Sequence, residues 1–364
     1  MKRCDTSPRE RARRKTRMVR YGGVPVGGGS PITIQSMTTA RAADVRSTMR
    51  EIRALARAGC ELVRVAVKDA GDVAALPAIL SRCPIPVIAD VHFDYRLAVA
   101  AAKAGAAGLR INPGNIGGAD RVRRVVDAAA EAAIPIRVGV NSGSLERDLR
   151  ALARRDQARA LHESAVRARK LIEKMGFHDL VFSLKSPDAM TTVRANRLFA
   201  AENDCPLHIG VTEAGPPLSG AAKSSVALTL LLAAGIGDTV RVSLSGDPVR
   251  EVTVAAAVLS ALGLRSDIPR IVSCPTCGRS WIDVLKVSER LERELAGVRA
   301  GVTIAVMGCE VNGPGEAREA DIGLAGSRGG AVLFRKGKVI RRLRGDIAEE
   351  FIREVRKLLS RKED

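Results

Sequence analysis

Eight short runs rich in β-branched residues recur through the first two thirds of the chain: ITIQSM at 32–37, LVRVAV at 62–67, PVIAD at 86–90, GLRIN at 108–112, IRVGVN at 136–141, LVFSLK at 180–185, LHIGVT at 207–212 and TVRVSL at 239–244. Between them lie stretches of helical character, including 48–58, 96–104, 120–133, 145–175 and 223–234. Parallel strands can follow one another only through long crossovers, so strand and helix alternating eight times at a spacing of roughly 30 residues predict an α/β protein of the (β/α)8 TIM-barrel class. A doubly wound sheet is the competing arrangement. It would carry G-x-G-x-x-G after its first strand, whereas this chain has Met37-Thr38-Thr39 there.

The pattern changes after the eighth run. Residues 248–262 read as the eighth helix and 265–270 as a linker. From Ile271 a smaller α+β module follows, with strands expected at 271–273, 302–307 and 332–335, and a Lys336-Gly337 turn into a strand at 338–343. The expected domains are therefore a basic, disordered leader at 1–20, a barrel at 21–264 and a small domain at 265–364.

Charge bears on the leader and on possible partners. The chain holds 59 Lys and Arg against 40 Asp and Glu, a formal +19, and residues 1–20 alone carry nine basic and two acidic side chains. With one Trp, two Tyr and six Phe in 364 residues, stacking platforms for nucleic acid are not expected. No apolar run approaches the roughly 20 residues of a membrane span, and the leader lacks the apolar core of a secretion signal, so a cytoplasmic protein is expected. Seven cysteines, an odd number, do not resemble a secreted disulfide framework. Cys60, Cys83 and Cys205 read as small buried hydrophobes, and Cys4 falls in the leader.

In a barrel the active site is built where the strands end at their carboxyl edge. Those ends carry Lys68, Asp90 with His92, Arg110 with Asn112, Asn141, Lys185, Thr212 with Glu213, and Ser243 with Ser245, while Arg64 and Arg137 lie inside strand runs. An arginine within an apolar strand is costly unless it is paired or faces a bound anion. Arg64, Arg110, Arg137 and Lys185 outnumber the rim carboxylates Asp69, Asp90 and Glu213, so a polyanionic small substrate, phosphate-bearing by the geometry of guanidinium recognition, is expected over the mouth. The Asn-Pro-Gly-Asn turn at 112–115 and the Asn-Ser-Gly-Ser turn at 141–144 add polar donors beside it.

The small module opens on a cysteine constellation. Cys274-Pro-Thr-Cys277 is followed 32 residues later by Cys309, just after an expected strand. Zinc usually takes a fourth Cys or His, and His92, His162, His178 and His208 all lie earlier in the chain. Three thiolates also suit a [4Fe-4S] cluster whose fourth iron takes another ligand. A dithiol redox pair is a third reading, and leaves Cys309 without a role. Glu316, beyond the Gly313-Pro314-Gly315 turn, is either an oxygen ligand for that iron or a helix-start acid.

These segments resemble the short bacterial form of the 4-hydroxy-3-methylbut-2-enyl diphosphate synthases, iron-sulfur enzymes of the non-mevalonate isoprenoid pathway. The resemblance covers roughly residues 21–360 and is carried, in order, by QSMTT at 35, VRVAV at 63, DVHFDY at 90, LRINPGNIG at 109, RVGVNSGSLE at 137, SLKSPD at 183, HIGVTEAG at 208, GIGDTVRVSLSGDP at 235, CPTCGR at 274 and GCEVNGPGE at 308. It implies that Cys274, Cys277, Cys309 and Glu316 ligate a [4Fe-4S] cluster. It further implies that Arg64, His92, Arg110, Arg137, Lys185 and Ser243 hold the diphosphate of 2-C-methyl-D-erythritol 2,4-cyclodiphosphate, with Asn141 and Glu213 near its carbons. Glu213, and secondarily His92, are the candidate proton donors. Flavodoxin or ferredoxin is the implied electron donor, and a homodimer with the barrel of one subunit facing the cluster domain of the other the implied assembly. Glu310, Ser327 and the basic N-terminal arm depart from the family pattern. The rival class is a phosphate-binding barrel carrying a structural zinc or nucleic-acid module.

Overall fold

The computed structural model describes residues 13–310 and 317–363, and the chain divides into two compact units, Met1–Leu264 and Arg265–Asp364. Eight parallel strands, β3 (Thr33–Met37), β4 (Leu62–Ala66), β5 (Val87–Asp90), β6 (Gly108–Ile111), β7 (Ile136–Asn141), β8 (Leu180–Lys185), β9 (His208–Ile209) and β10 (Thr239–Val240), form the first unit's main sheet. Their order is β8-β7-β6-β5-β4-β3-β10-β9, and a parallel bridge from Phe182 to Leu207 joins the two ends, so the sheet closes as a TIM barrel. β9 and β10 are shorter than the six-residue runs suggested, because the chain beyond them leaves the ladder to build the loops that carry Glu213 and Ser243.

Helices pack around this barrel, and six of them start where the sequence places an aspartate. Asp44, Asp69, Asp94, Asp156, Asp188 and Asp247 each accept a backbone N–H from the first turn that follows. Asp156 also explains a correction. Residues 145–175 are not one helix but a short 3-10 turn, Arg147–Leu149, and two α-helices, Arg150–Arg155 and Gln157–Glu173, because Asp156 leaves helical geometry (φ −152°, ψ 87°) to cap the second.

The leader also needs correcting from residue 13 onward. Strands β1 (Met18–Tyr21) and β2 (Val24–Gly27) form an antiparallel hairpin whose Val19, Tyr21 and Val26 pack on Leu62, Ile88 and Val181. Ahead of it, Arg13 pairs with Asp238 at 3.2 Å, Arg14 donates to the carbonyls of Asn203 and Cys205, and Arg17 bonds Asp204 and Glu173. Basic charge there is therefore a fastening rather than a solvated tail. Residues 1–12, with Cys4, lie outside the described residues.

The second unit is a five-stranded sheet of order β11-β12-β13-β14-β15, built from β11 (Arg270–Ser273), β12 (Thr303–Met307), β13 (Ile322–Ser327), β14 (Gly330–Arg335) and β15 (Lys338–Leu343). The first three run parallel and the last two antiparallel. Strand β13 escaped the sequence reading because small residues dilute its pattern (IGLAGS), although all six positions are buried. The helix Val284–Leu295 lays Val284, Val287, Leu291 and Leu295 on the sheet together with Phe351 and Ile352 of the last helix, Ile347–Glu363, giving this unit its own apolar core.

Candidate active site and cysteine pocket

Side chains alternate across a strand, so one parity faces the barrel axis. Val19, Tyr21 and Val26 meet Leu62, Ile88 and Val181, which fixes that parity at the lower end. Two residues on, the same parity yields Arg64, Asp90 and Ser183, and on the neighbouring strands Arg110, Arg137, Lys185, His208 and Arg241. The sequence-predicted cations thus share one interior, where a barrel usually stacks apolar residues.

Their contacts are unequal. Asp90, 2% exposed, bridges Arg64 (Nε to Oδ2, 3.2 Å) and Arg110 (Nη1 to Oδ1, 3.1 Å). Arg110 Nη1 also lies 2.9 Å from His92 Nε2, and since a guanidinium only donates, that ring nitrogen accepts. Burial alone would push the Asp90 carboxyl up, but Arg64, then His92 and Arg110, outweigh it and hold the group well below the usual carboxylate range. Arg241 is held by Glu251, its Nε 3.2 Å from Oε2 and its Nη2 3.3 Å from Oε1, and Glu251 also accepts from Ser36 Oγ (2.8 Å) and Leu244 N (3.0 Å). Met37 Sδ accepts from Arg64 Nη2 at 2.9 Å.

Among the described residues Arg137 and Lys185 have no such carboxylate. Among those residues, too, Nε and Nη2 of Arg137 and Nε of Arg110 are buried without a hydrogen-bond partner, as is Nε2 of His208. Burial, reinforced by Arg110, lowers Arg137 to about 10. Lys185 falls well below its ordinary value through burial and the facing Arg137, Arg241, Arg64 and Arg110, and His208 does so through burial and Lys185. A Cβ at Gly139 would stand 2.4 Å from Arg110 Nε, so the absence of a side chain there makes the guanidinium's place. Five cations, two carboxylates and several unsatisfied donors form a site that an anion would complete.

The rim residues arrive by loops. Asn112 Nδ2 donates to Ser144 Oγ at 3.0 Å, tying together the two Gly-containing turns after β6 and β7, beside Asn141. Ser243 is half-buried. Glu213 is exposed and takes a left-handed backbone, φ 51°, unusual for a residue with a side chain. Neither makes a side-chain contact with the cationic group among the described residues.

Cys274 follows β11 directly, and Cys309 lies two residues beyond β12, so the parallel pairing of these strands brings them to one edge. With Cys277, Arg279, Ser280 and Gly308 they line a hollow of about 120 Å³. Gly308 N donates to Cys274 Sγ at 3.0 Å, and a Cβ on Gly308 would collide with Ser280 Oγ at 2.5 Å. Among the described residues no group of three or more His, Cys, Asp or Glu side chains is placed to hold one metal ion. The three cysteines around the hollow offer sulfur donors of the kind that a soft metal ion or an iron-sulfur cluster takes. Glu316 lies outside the described residues. Glu310 is exposed, with Arg342 4.0 Å away. Cys60 and Cys205 are buried, their thiols pushed up to about 12 and about 11 by burial, as expected of inert packing groups.

Comparison with known proteins joins the two units. A family model described as the GcpE TIM-barrel domain matches residues 16–256, and one described as the GcpE protein C-terminal domain matches residues 270–357. The chain belongs to the GcpE family. Two GcpE relatives named 4-hydroxy-3-methylbut-2-en-1-yl diphosphate synthase (flavodoxin) span almost all of it. That of Geobacter sulfurreducens is 52% identical over 96% of this chain and 99% of its own, and that of Maridesulfovibrio salexigens is 51% identical over 96% and 98%. Among solved structures, 3-dehydroquinate dehydratase from Geobacillus kaustophilus matches 69% of this chain and 98% of its own at TM-score 0.50 and 14% identity, a likeness of fold alone. Against this GcpE background, the sequence reading missed Arg241 and Glu251. The signal for Arg241 was present, since it interrupts an apolar strand as Arg64 and Arg137 do; Glu251 sits on a helix and nothing in its neighbourhood marks it.

Proposed function

We infer that this chain catalyses the reaction its relatives are named for, reductive ring opening of 2-C-methyl-D-erythritol 2,4-cyclodiphosphate to 4-hydroxy-3-methylbut-2-en-1-yl diphosphate. Two electrons enter, the ring carbon–oxygen bond to phosphate opens, and the neighbouring hydroxyl departs as water with a proton. The observation that carries this reading is the set of buried Arg110, Arg137 and Lys185 with the partly buried Arg64 and Arg241, which exceeds its carboxylates Asp90 and Glu251 and so calls for a dianionic ligand.

In this reading those cations clamp the diphosphate, with Ser243 and His92 adding neutral hydrogen bonds. His92, accepting from Arg110, helps hold that guanidinium toward the ligand. Asn141 stands near the carbon skeleton, and Glu213 protonates the departing oxygen, its loop backbone being held in a conformation that a side chain rarely adopts. Cys274, Cys277 and Cys309 would hold a [4Fe-4S] cluster, with Glu316 as the fourth ligand implied by the family resemblance. Such a cluster supplies electrons singly when bound. Reduced flavodoxin, or ferredoxin, is the proposed donor, and a homodimer pairing one subunit's barrel with its partner's cluster domain the proposed assembly.

Metal and sulfide analysis after anaerobic purification tests the reading. About four iron and four inorganic sulfide per chain are expected. One zinc without sulfide would instead support a structural metal module.

A further inference from the structure

We propose that Met37 is a positioning residue for the diphosphate-binding cations, its thioether sulfur holding the guanidinium groups of Arg64 and Arg241 in place without cancelling their charge. This rests on the reading of the barrel as the diphosphate site and adds how two of its cations are kept aimed. Met37 ends β3 directly opposite Arg64 of β4, and β10, the strand paired on the other side of β3, leads into Arg241. Its sulfur lies 2.9 Å from Arg64 Nη2, 3.2 Å from Arg64 Nε and 3.8 Å from Arg241 Nη1. Among the described residues neither Arg64 Nη2 nor Arg241 Nη1 has another hydrogen-bond partner.

The chemistry of this acceptor matters more than its place. Each guanidinium already meets one carboxylate, Arg64 through Nε to Asp90 and Arg241 through Nε and Nη2 to Glu251. A further carboxylate between them would pair the remaining N–H groups and leave less positive charge for an anion. An aliphatic side chain would fill the same volume but offer no lone pair, and the two like charges would be free to move apart. The thioether stands between these cases. It is neutral, polarizable and a weak acceptor, so it orients both cations in the free protein and yields them to phosphate oxygens at small cost.

A merely space-filling methionine and a positioning one differ in what replaces them. Met37 is half-buried, at the level where the cationic interior opens toward the mouth of the barrel. If it only filled space, a leucine of similar volume would serve as well. If its lone pairs hold the arginines, a neutral acceptor of similar length should serve and a leucine should not.

The test uses holoenzyme with its cluster assembled and the substitutions Met37→Leu, Met37→Gln and Met37→Glu. Met37→Leu should weaken cyclodiphosphate binding, read by calorimetry, about five-fold and raise KM to match, with kcat and the melting temperature of the free protein little changed. Met37→Gln should recover most of that affinity. Met37→Glu should melt at a higher temperature than the wild type, yet bind the cyclodiphosphate about 50-fold more weakly. Wild-type affinity in Met37→Leu or in Met37→Glu, or an affinity of Met37→Gln no better than that of Met37→Leu, would overturn the proposal. Calorimetry on the wild type, done first, tests the barrel reading by itself, so a protein that binds no cyclodiphosphate and one that binds it without help from Met37 can be told apart.

Discussion

The barrel and the C-terminal unit hold their functional groups by opposite means. In the barrel the cations sit on strands, inside, already aimed and mutually repelling, with the carboxylates of Asp90 and Glu251 fixing three of them. In the C-terminal unit the thiols sit on loops that follow strands, around a hollow, with Cys274 packed against the unit's apolar core. One region stores unfavourable charge that a ligand relieves; the other offers soft donors that a metal group would organise. Binding and electron delivery should accordingly be separable by mutation.

The sharpest break is Cys277→Ser. Turnover should fall at least about 1,000-fold with loss of cluster absorbance, while the affinity of the barrel for the cyclodiphosphate, measured by calorimetry, changes less than about two-fold. Loss of substrate affinity in that variant would show the two regions to be coupled.

Next comes Arg137→Met. It removes a buried charge whose Nε and Nη2 lack partners, so the ligand-free protein should melt at a higher temperature even as cyclodiphosphate binding weakens by about 100-fold. A lower melting temperature would mean that Arg137 stabilises the free barrel. Glu251→Gln should have a milder effect, about ten-fold on KM with little on kcat, because Arg241 stays but loses its fixed orientation; Glu251→Asp should recover part of the loss.

The smallest effect is protonic. Lys185 and His208 lie below their ordinary values in the free protein because of burial and neighbouring cations, so folding disfavours their charged forms and loses stability as pH falls below those ordinary values. An anion among them reverses the cause and raises both. The cyclodiphosphate does not itself ionise near neutrality, so its binding should take up a fraction of a proton and tighten by no more than about three-fold per unit as pH falls from about 8 to about 6.5. Calorimetry in buffers of different ionisation enthalpy reads this directly, and proton release on binding would refute it.

Much of this was legible in the chain. Strand parity alone places Arg64, Arg110, Arg137 and Lys185 on one face once the barrel is recognised, and C-x-x-C with a later cysteine after a strand marks the pocket. What escaped did so for physical reasons. Glu251 works across a helix–strand gap that no local pattern encodes, Asp156 ends one helix by capping the next, and the hairpin at Met18–Gly27 is too short to stand out beside a run of arginines.

That hairpin has a consequence for how the molecule is made. Its anchors are distant in the chain: Arg13 and Thr16 bond Asp238, more than 220 residues away, and Arg14 and Arg17 reach Asn203, Cys205 and Asp204. These partners flank the seam where β8 meets the β9 segment through a single bridge. Arg13 to Arg17 can therefore be fastened only after nearly the whole barrel has been synthesised. A chain halted short of Asp238 should leave the amides of Met18–Tyr21 open to hydrogen exchange, so the hairpin settles on the barrel late.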